Sequence, residues 1–364
     1  MRLFNLLLLL TTSVSGFAQS SMNVKITLSD KVITVPKEDF VSLSFEEAEE
    51  QKEEFQDEIY IVGYDDYDPM CGIHSVVWSN NTPDYSYGRV PFITEWPAEE
   101  TMTDILTTDG TNVYAAGMVQ TNVVFDSGYR YEYAAVWRNW KITSIKQQGN
   151  ADMYTPLSTC ATDIAVENNH VYITTVGNSE SHSWMIDGVE YNIMDGLSVA
   201  CYNGDVYVAR GKTILKNGEV LTDTITGAIS DLTVDANGIH YLRNSHLWSN
   251  GKIVETGISS PIGLKSENNI LYVGGYVNGG LPSVWKNGET ITLINHESKA
   301  DFRAFCVVDG RIYGVGSYNG HTEDNLPFTI PILYANGKEY NLNDYGMGCA
   351  TIDIKDICAI RKQK

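Results

Sequence analysis

From Ile59 onward the chain alternates apolar and polar positions in short runs, each closed by Gly, Asn or Asp. Period-two alternation bounded by turn residues predicts strands, and Asn-Gly between two runs predicts a tight hairpin. The clearest instance is Leu271-Tyr272-Val273-Gly274-Gly275-Tyr276 followed by Ser283-Val284-Trp285-Lys286-Asn287-Gly288. It reads as a strand, a loop, a second strand and a turn. Versions of it recur along the rest of the chain. The tyrosine of the first run returns at Tyr60, Tyr114, Tyr172, Tyr207, Tyr241, Tyr272 and Tyr313, at gaps of 54, 58, 35, 34, 31 and 41 residues. A spacing near ~40 with variable loops is the signature of a repeat array.

Each tyrosine strand is followed by a third strand and a turn. The copies are Val77-Trp78-Ser79-Asn80, Val136-Trp137-Arg138-Asn139, Met185-Ile186-Asp187-Gly188, Leu215-Lys216-Asn217-Gly218, Leu247-Trp248-Ser249-Asn250-Gly251, Val284-Trp285-Lys286-Asn287-Gly288 and Tyr334-Ala335-Asn336-Gly337. A fourth strand follows, as in Thr290 to Ile294. A first strand precedes each tyrosine after Tyr60, marked by Thr103-Asp104-Ile105, Thr162-Asp163-Ile164 and Ser230-Asp231-Leu232, with Ser198, Gly263 and Ala304 at the Asp position elsewhere. The first tyrosine lacks a first strand, while Lys355-Asp356-Ile357-Cys358-Ala359-Ile360 is left over at the other end. The spare C-terminal strand can complete the opening unit. A ring gains from such closure because no inner edge is exposed, whereas a linear solenoid would need caps. The expected fold is all-β: a seven-bladed β-propeller of four-stranded blades, with the C-terminal strand closing the first blade.

The tyrosine strand followed by Trp-x-Asn-Gly resembles the degenerate propellers of secreted bacterial proteins, across residues 59–360. It does not match the Gly-His and Trp-Asp signature of WD40 repeats or the double-Gly pattern of kelch. The resemblance implies an interaction surface in many relatives and an enzyme in some, so the function has to be argued from the site.

Upstream of the repeat the pattern changes. Met1-Arg2, the apolar run Leu6–Leu10 and the small residues around Gly16-Phe17-Ala18 predict a signal peptide over residues 1–18, and hence export to the periplasm or beyond. Residues 19–58 hold an alternating hairpin around 22–35 and an acidic linker, with eight acids and one Lys between 46 and 58. The linker reads as a solvated helix or loose segment. The propeller is assigned residues 59–364. The net charge is −21 at pH 7, and losing residues 1–18 removes one more positive charge, Arg2. So acidic a chain repels nucleic acid and anionic membranes. No segment outside the N-terminus is apolar enough to insert in a bilayer. Glycan or protein is therefore the expected partner.

The repeated aromatics are read as packing between blades. Asp104, Asp163, Asp231 and Asp356 have two readings: carboxylates that accept backbone N–H groups of a neighbouring strand, or an incomplete axial ring for a divalent cation. No cofactor is otherwise implied. Strand direction puts the short turns on one face and the long, varied loops on the other, and loops of the second kind carry function. On that face the sequence offers Tyr64, Asp65, Asp66, Asp68 and His74 in blade 1, and Trp96 in the connection that follows. Blade 2 adds Tyr131 and Glu132, blade 3 adds His182, and blade 7 adds Tyr318, His321, Glu323 and Asp324. Aromatics stack on sugar rings and serve protein contacts, while carboxylates accept sugar hydroxyls. Three readings follow: a non-catalytic binding or scaffold module, a glycoside hydrolase or metal-assisted lyase on the same face, and a purely structural assembly part. No G-x-S-x-G, H-E-x-x-H or P-loop supports catalysis. Cys71 and Cys349 are a candidate disulfide across the closing blade, with two free thiols as the alternative; the other cysteines read as small buried residues.

Overall fold

The computed structural model describes residues 23–27, 32–36, 57–65, 74–80, 98–124, 130–145, 161–176, 182–221, 227–277, 280–294, 301–321, 327–342 and 352–361. The chain divides into two compact units, Met1–Glu54 and Phe55–Lys364. In the first, β1 (Asn23–Thr27) and β2 (Val32–Pro36) form an antiparallel hairpin with Thr27 opposite Val32.

The second unit is a seven-bladed β-propeller. Blade 1 is built from β3 (Asp57–Asp65), β4 (His74–Ser79) and the C-terminal β29 (Ile352–Arg361), in the order β29-β3-β4. Blade 2 is β5 (Ala98–Thr108), β6 (Val113–Val124), β7 (Arg130–Arg138) and β8 (Lys141–Ile145). Blade 3 is β9 (Ala161–Glu167), β10 (His170–Thr175), β11 (His182–Ile186) and β12 (Val189–Asp195). Blade 4 is β13 (Ser198–Tyr202), β14 (Asp205–Arg210), β15 (Thr213–Lys216) and β16 (Glu219–Val220). Blade 5 is β17 (Ile229–Asp235), β18 (Gly238–Arg243), β19 (His246–Ser249) and β20 (Lys252–Val254). Blade 6 is β21 (Gly263–Glu267), β22 (Ile270–Val277), β23 (Leu281–Lys286) and β24 (Glu289–Thr292). Blade 7 is β25 (Asp301–Val308), β26 (Arg311–His321), β27 (Pro327–Ala335) and β28 (Lys338–Asn341). The innermost strands touch in the cycle β29, β5, β9, β13, β17, β21, β25 and back to β29, which closes the ring.

The turn asparagine does more than tolerate positive φ. In blade 5 Asn250 adopts φ 48° and its N–H donates to the Ile239 carbonyl at 2.9 Å. Its Oδ1 accepts the Ile239 N–H at 3.1 Å, and its Nδ2 donates to the Asn237 carbonyl at 2.8 Å. Asn80, Asn139, Asn217 and Asn287 clamp Ile59, Val113, Val206 and Leu271 in the same way. Each clamp satisfies the first N–H of the second strand and pins strand three beside it. The clamp leaves no room beneath it in blade 5: a Cβ on Gly238 would stand 2.0 Å from Asn250 Oδ1.

Counting from the clamp corrects one repeat. The residue after the clamped position is Tyr60, Tyr114, Tyr207 and Tyr272, but in blade 5 it is His240, not Tyr241. His240 stands opposite Ser249, as Tyr207 stands opposite Lys216 and Tyr272 opposite Lys286. Tyr114, Tyr207 and Tyr272 pack toward the following blade, whereas Tyr241 lies in the core shared with blade 4 and stacks on Trp248. Trp137 and Trp285 pack toward the preceding blade, so in blades 2 and 6 the two repeated aromatics cover opposite faces.

Blade 3 departs from the expected order. Met185-Ile186-Asp187-Gly188 does form a hairpin turn, but β12 rather than β11 lies beside β10, and the sheet runs β9-β10-β12-β11. The β10–β12 pair is parallel, with His170 opposite Glu190 and His170 Nδ1 3.0 Å from Glu190 Oε2. Burial favours this choice. Val189, Tyr191 and Ile193 of β12 are buried, while the last strands of blades 4 and 5 leave Val220 and Ile253 exposed.

Ring closure has its own lock. Asp57, expected in the acidic linker, belongs to β3 and is fully buried. It accepts two hydrogen bonds from the Arg311 guanidinium of blade 7, at 2.6 and 2.7 Å, and one from the Tyr313 hydroxyl at 2.7 Å.

Candidate functional site

The first strand of each blade starts on the long-loop face and runs along the axis toward the short turns. Near its start, five of these strands carry a bulge: at Asp104, Thr162, Ser230, Arg303 and Lys355. A bulge adds one unpaired residue and re-aims its neighbours. The position just after it is Ile105, Asp163, Asp231, Ala304 and Asp356 in those five blades, and Ser198 and Gly263 take it in blades 4 and 6. Asp163, Asp231 and Asp356 are thus equivalent. Asp104 is not: it is the bulged residue itself, and its carboxylate accepts the Tyr64 hydroxyl of blade 1.

The three equivalent carboxylates strap neighbouring blades. Asp163 Oδ1 accepts the N–H of Ile164 at 2.8 Å, and Oδ2 accepts Val199 N–H of blade 4 at 2.9 Å and the Ser198 hydroxyl at 2.6 Å. Asp231 takes Leu232 N–H at 2.8 Å and Leu264 N–H of blade 6 at 2.7 Å. Asp356 takes Ile357 N–H and Leu106 N–H of blade 2, both at 2.8 Å. Blades 1 and 2, 3 and 4, and 5 and 6 are joined by the same device. Nearer the short turns a second set of acceptors repeats it: Glu167 takes the N–H groups of Asn203 and Gly204, and Glu267 those of Asp309 and Gly310.

The ring encloses an axial cavity of about 210 Å³ to which all seven blades contribute. Asp163, Asp231 and Asp356 line it together with Lys265, Arg303 and Lys355. Arg303 pairs with Asp301 at 3.0 Å, and Lys355 pairs with Asp353 at 2.7 Å and lies over the Tyr64 ring. Lys265 makes no hydrogen bond or ion pair with any described residue. The residue is exposed to solvent; partial desolvation by the channel wall acts to lower its pKa, but the combined field of Asp356, Asp231 and Asp163 prevails and holds the ammonium above its usual range. Burial raises all three carboxyls, those of Asp231 and Asp356 to about 6, against the opposing pull of Lys265 and the backbone N–H groups. Among the described residues no three His, Cys, Asp or Glu gather as metal ligands do.

The structure brings only some of the sequence-derived candidates together. Tyr64 is 7% exposed, held by Asp104 and covered by Lys355, so it buttresses the axis. The backbones of Asp65 and His74 are paired with each other, and His74 stands opposite Thr101 of blade 2. Tyr318 pairs with Ile330 and His321 with Pro327 at the end of blade 7, while Glu132 pairs with Gln120 and follows Tyr131 in β7. His182 starts the edge strand of blade 3, opposite Ile193. Asp66, Asp68, Trp96, Glu323, Asp324, Cys71 and Cys349 lie outside the described residues. Cys201, Cys306 and Cys358 are free thiols, and burial pushes the Cys201 thiol up to about 12. Reading Asp104, Asp163, Asp231 and Asp356 as one set missed Lys265. The signal for it was there: it lies two residues past the Asp position, where Thr107, Ala165, Ala200, Thr233, Cys306 and Cys358 occupy the other blades.

No protein-family model matches the chain, and no curated protein matches it. Among solved structures it is similar to a Trypanosoma rangeli sialidase in complex with 2,3-difluorosialic acid, at 10% identity and a TM-score of 0.28, over 69% of this chain and 49% of that one. The chain thus spans about half the length of that sialidase. It is also similar to MPT-4, a mannose phosphorylase from Leishmania mexicana, at 9% identity and TM-score 0.24, over 70% of this chain and 68% of that one. A Bombyx mori GH32 beta-fructofuranosidase matches at 12% identity and TM-score 0.26, over 79% of this chain and 60% of that one. What assigns the architecture is the strand order and the closed cycle of innermost strands: the chain is a seven-bladed β-propeller.

Proposed function

We propose that this chain is an exported, non-catalytic binding propeller that takes a glycan on the face where the first strands begin, with the axial cavity at its centre. The observation that supports this reading most is the strapping of the axial carboxylates. Asp163, Asp231 and Asp356 each hold backbone N–H groups of two blades on their two oxygens. A general acid or nucleophile needs an oxygen free to reach the reacting atom. These carboxylates are instead fixed in place, as a preorganised recognition surface requires. The chain's acidity disfavours nucleic acid, and no helix among the described residues is long and apolar enough to cross a membrane.

A thermal-shift screen of the mature chain against an oligosaccharide panel, with and without divalent metal, tests the reading. A ligand at 100 times its Kd stabilises by about 2.7 kcal/mol. The expected result is a raised Tm with the sugar recovered intact. Cleaved sugar would make the chain an enzyme. No shift with any sugar would move the assignment to a protein-binding or assembly role.

A further inference from the structure

Asn-Gly makes many of the turns of this chain, and it is also a reactive dipeptide. The glycine amide nitrogen can attack the asparagine carboxamide carbon, and glycine has no Cβ to hinder the approach. Six Asn-Gly pairs have described side chains, at Asn203, Asn217, Asn237, Asn250, Asn287 and Asn336. All six asparagines are exposed, so exposure does not separate them. Their hydrogen bonds do. Asn217 is held at both ends of its carboxamide: Oδ1 accepts the Val206 N–H at 2.9 Å and Nδ2 donates to Asp205 Oδ1 at 2.8 Å. Asn250 is held likewise by Ile239 and Asn237. Asn287 accepts the Leu271 N–H at 3.0 Å, and Asn237 donates to the Asn269 carbonyl at 3.0 Å. The Asn203 carboxamide is bonded to no described residue, but the Gly204 nitrogen beside it donates to Glu167 Oε2 at 2.8 Å. A carboxylate so close opposes loss of that proton. Asn336 has neither restraint. Blade 7 begins its β26–β27 ladder at Gly314 and Tyr334, one pair later than blade 6, which begins at Tyr272 and Lys286. Neither the Asn336 carboxamide nor the Gly337 N–H is bonded to any described residue.

We infer that Asn336 is a site of spontaneous covalent modification, and that the bonds around its counterparts protect them from it. The Gly337 amide nitrogen gives its proton to solvent and attacks Asn336 Cγ. The N–Cγ bond forms, and the carboxamide nitrogen takes up a proton and leaves as ammonia. Water then opens the cyclic imide at either carbonyl, which leaves aspartate or isoaspartate. A clamped asparagine must first break its side-chain bonds, which slows the attack about 10-fold or more. The change falls on the blade that closes the ring: Gly337 leads into β28, whose Tyr340 is buried in the core shared with Ile59 and Ile357 of blade 1. The inference does not depend on what the propeller binds.

Incubation of the folded chain in mildly alkaline buffer, followed by peptide mapping by mass spectrometry, tests it. The expected result is conversion of Asn336 at least ~10-fold faster than of Asn217 or Asn250, with isoaspartate among its products. In guanidinium chloride the six sites should draw together, because the protecting bonds are gone. Asp205→Ala frees one end of the Asn217 carboxamide and should speed that site several-fold while Asn250 stays slow. Asn217 or Asn250 converting as fast as Asn336 in the folded chain overturns the inference. So does a lead of Asn336 that persists in guanidinium chloride, which would place its cause in the neighbouring side chains. An Asn217 rate unchanged in Asp205→Ala overturns the protective role of the clamp.

Discussion

Blades 4 to 6 and blade 3 use the same four strands in different orders, and the connection to the next blade explains why. Eight residues separate β16 from β17, β20 from β21, and β24 from β25, while only Gly196 and Leu197 separate β12 from β13. The three steps from Asp195 to Ser198 reach at most about 11 Å. Strands in a blade lie about 4.8 Å apart, so a return from the outer fourth position to the axis spans about 14 Å and from the third about 10 Å. Only the third position is within reach. β12 takes it, and β11 is displaced to the edge. The burial pattern agrees, since Val189, Tyr191 and Ile193 form a core face that the last strands of blades 4 and 5 lack. The lesson is that in a closed repeat the length of the connection can overrule the order in which strands leave the ribosome.

The largest difference between blade 3 and its neighbours is expected at the buried aromatic of β12. Tyr191→Ala should destabilise by about 3–5 kcal/mol, the same as Trp285→Ala in the third strand of blade 6, while Ile253→Ala in the last strand of blade 5 should stay within ~0.5 kcal/mol. Urea titration of the three variants reads this directly. An ordinary strand order in blade 3 would instead make Tyr191 the cheap substitution.

The departure of blade 3 stops short of the axis, and pH dependence sharpens that point. The carboxyls of Asp231 and Asp356 sit near 6 when folded, above the ordinary 3.8. The folded chain therefore keeps protons that the unfolded chain has released between about pH 4 and pH 6. The stability from these groups is fully present below ~pH 4 and is lost as the pH rises through 6. The distance from 3.8 to about 6 corresponds to roughly 3 kcal/mol per group. Asp231→Asn should remove up to that much of the fall in unfolding free energy between pH 4 and 7. Asp163→Asn should act in the same direction, because burial raises the Asp163 carboxyl too and its strap to blade 4 matches the others.

Smaller effects follow at the connection and the turn. A Cβ on Gly196 would stand 2.4 Å from Val208 Cγ1 and 3.2 Å from the Ala209 carbonyl, so Gly196→Val should cost about 1–3 kcal/mol by chemical denaturation. Asn250→Gly keeps positive φ available but deletes two side-chain hydrogen bonds, at about 1–2 kcal/mol. Asp187→Gly, the matching change in blade 3, should stay within ~0.5 kcal/mol. Asp187 has the φ of the turn, 50°, but makes no clamp.

The ring, the blade count and the closing role of residues 355–360 were legible because they depend on alternation and turn chemistry, which are local. The misreadings were of register. Tyr241 beside His240 and Asp104 beside Ile105 each offer two adjacent residues that fit the repeat, and only the clamp or the bulge says which one is equivalent. The strand order of blade 3 was available from the two-residue connection but needed a reach argument rather than a motif. The axial site was half visible: the acids repeat, whereas Lys265 occurs once, and a single departure from a small-residue layer carries no periodic signal. Asp57 was hidden for the opposite reason, as one acid among eight whose burial depends on Arg311, 254 residues away.

Amide hydrogen exchange on the folded chain, resolved to β11 and β12, tests the account most directly. With β12 between β10 and β11, the N–H groups of Val189 to Asp195 are bonded on both sides and should exchange slowly throughout. In β11 every second N–H should exchange fast, as on any exposed edge. Slow exchange through all of β11 with fast alternate positions in β12 would return blade 3 to the ordinary order and contradict the account.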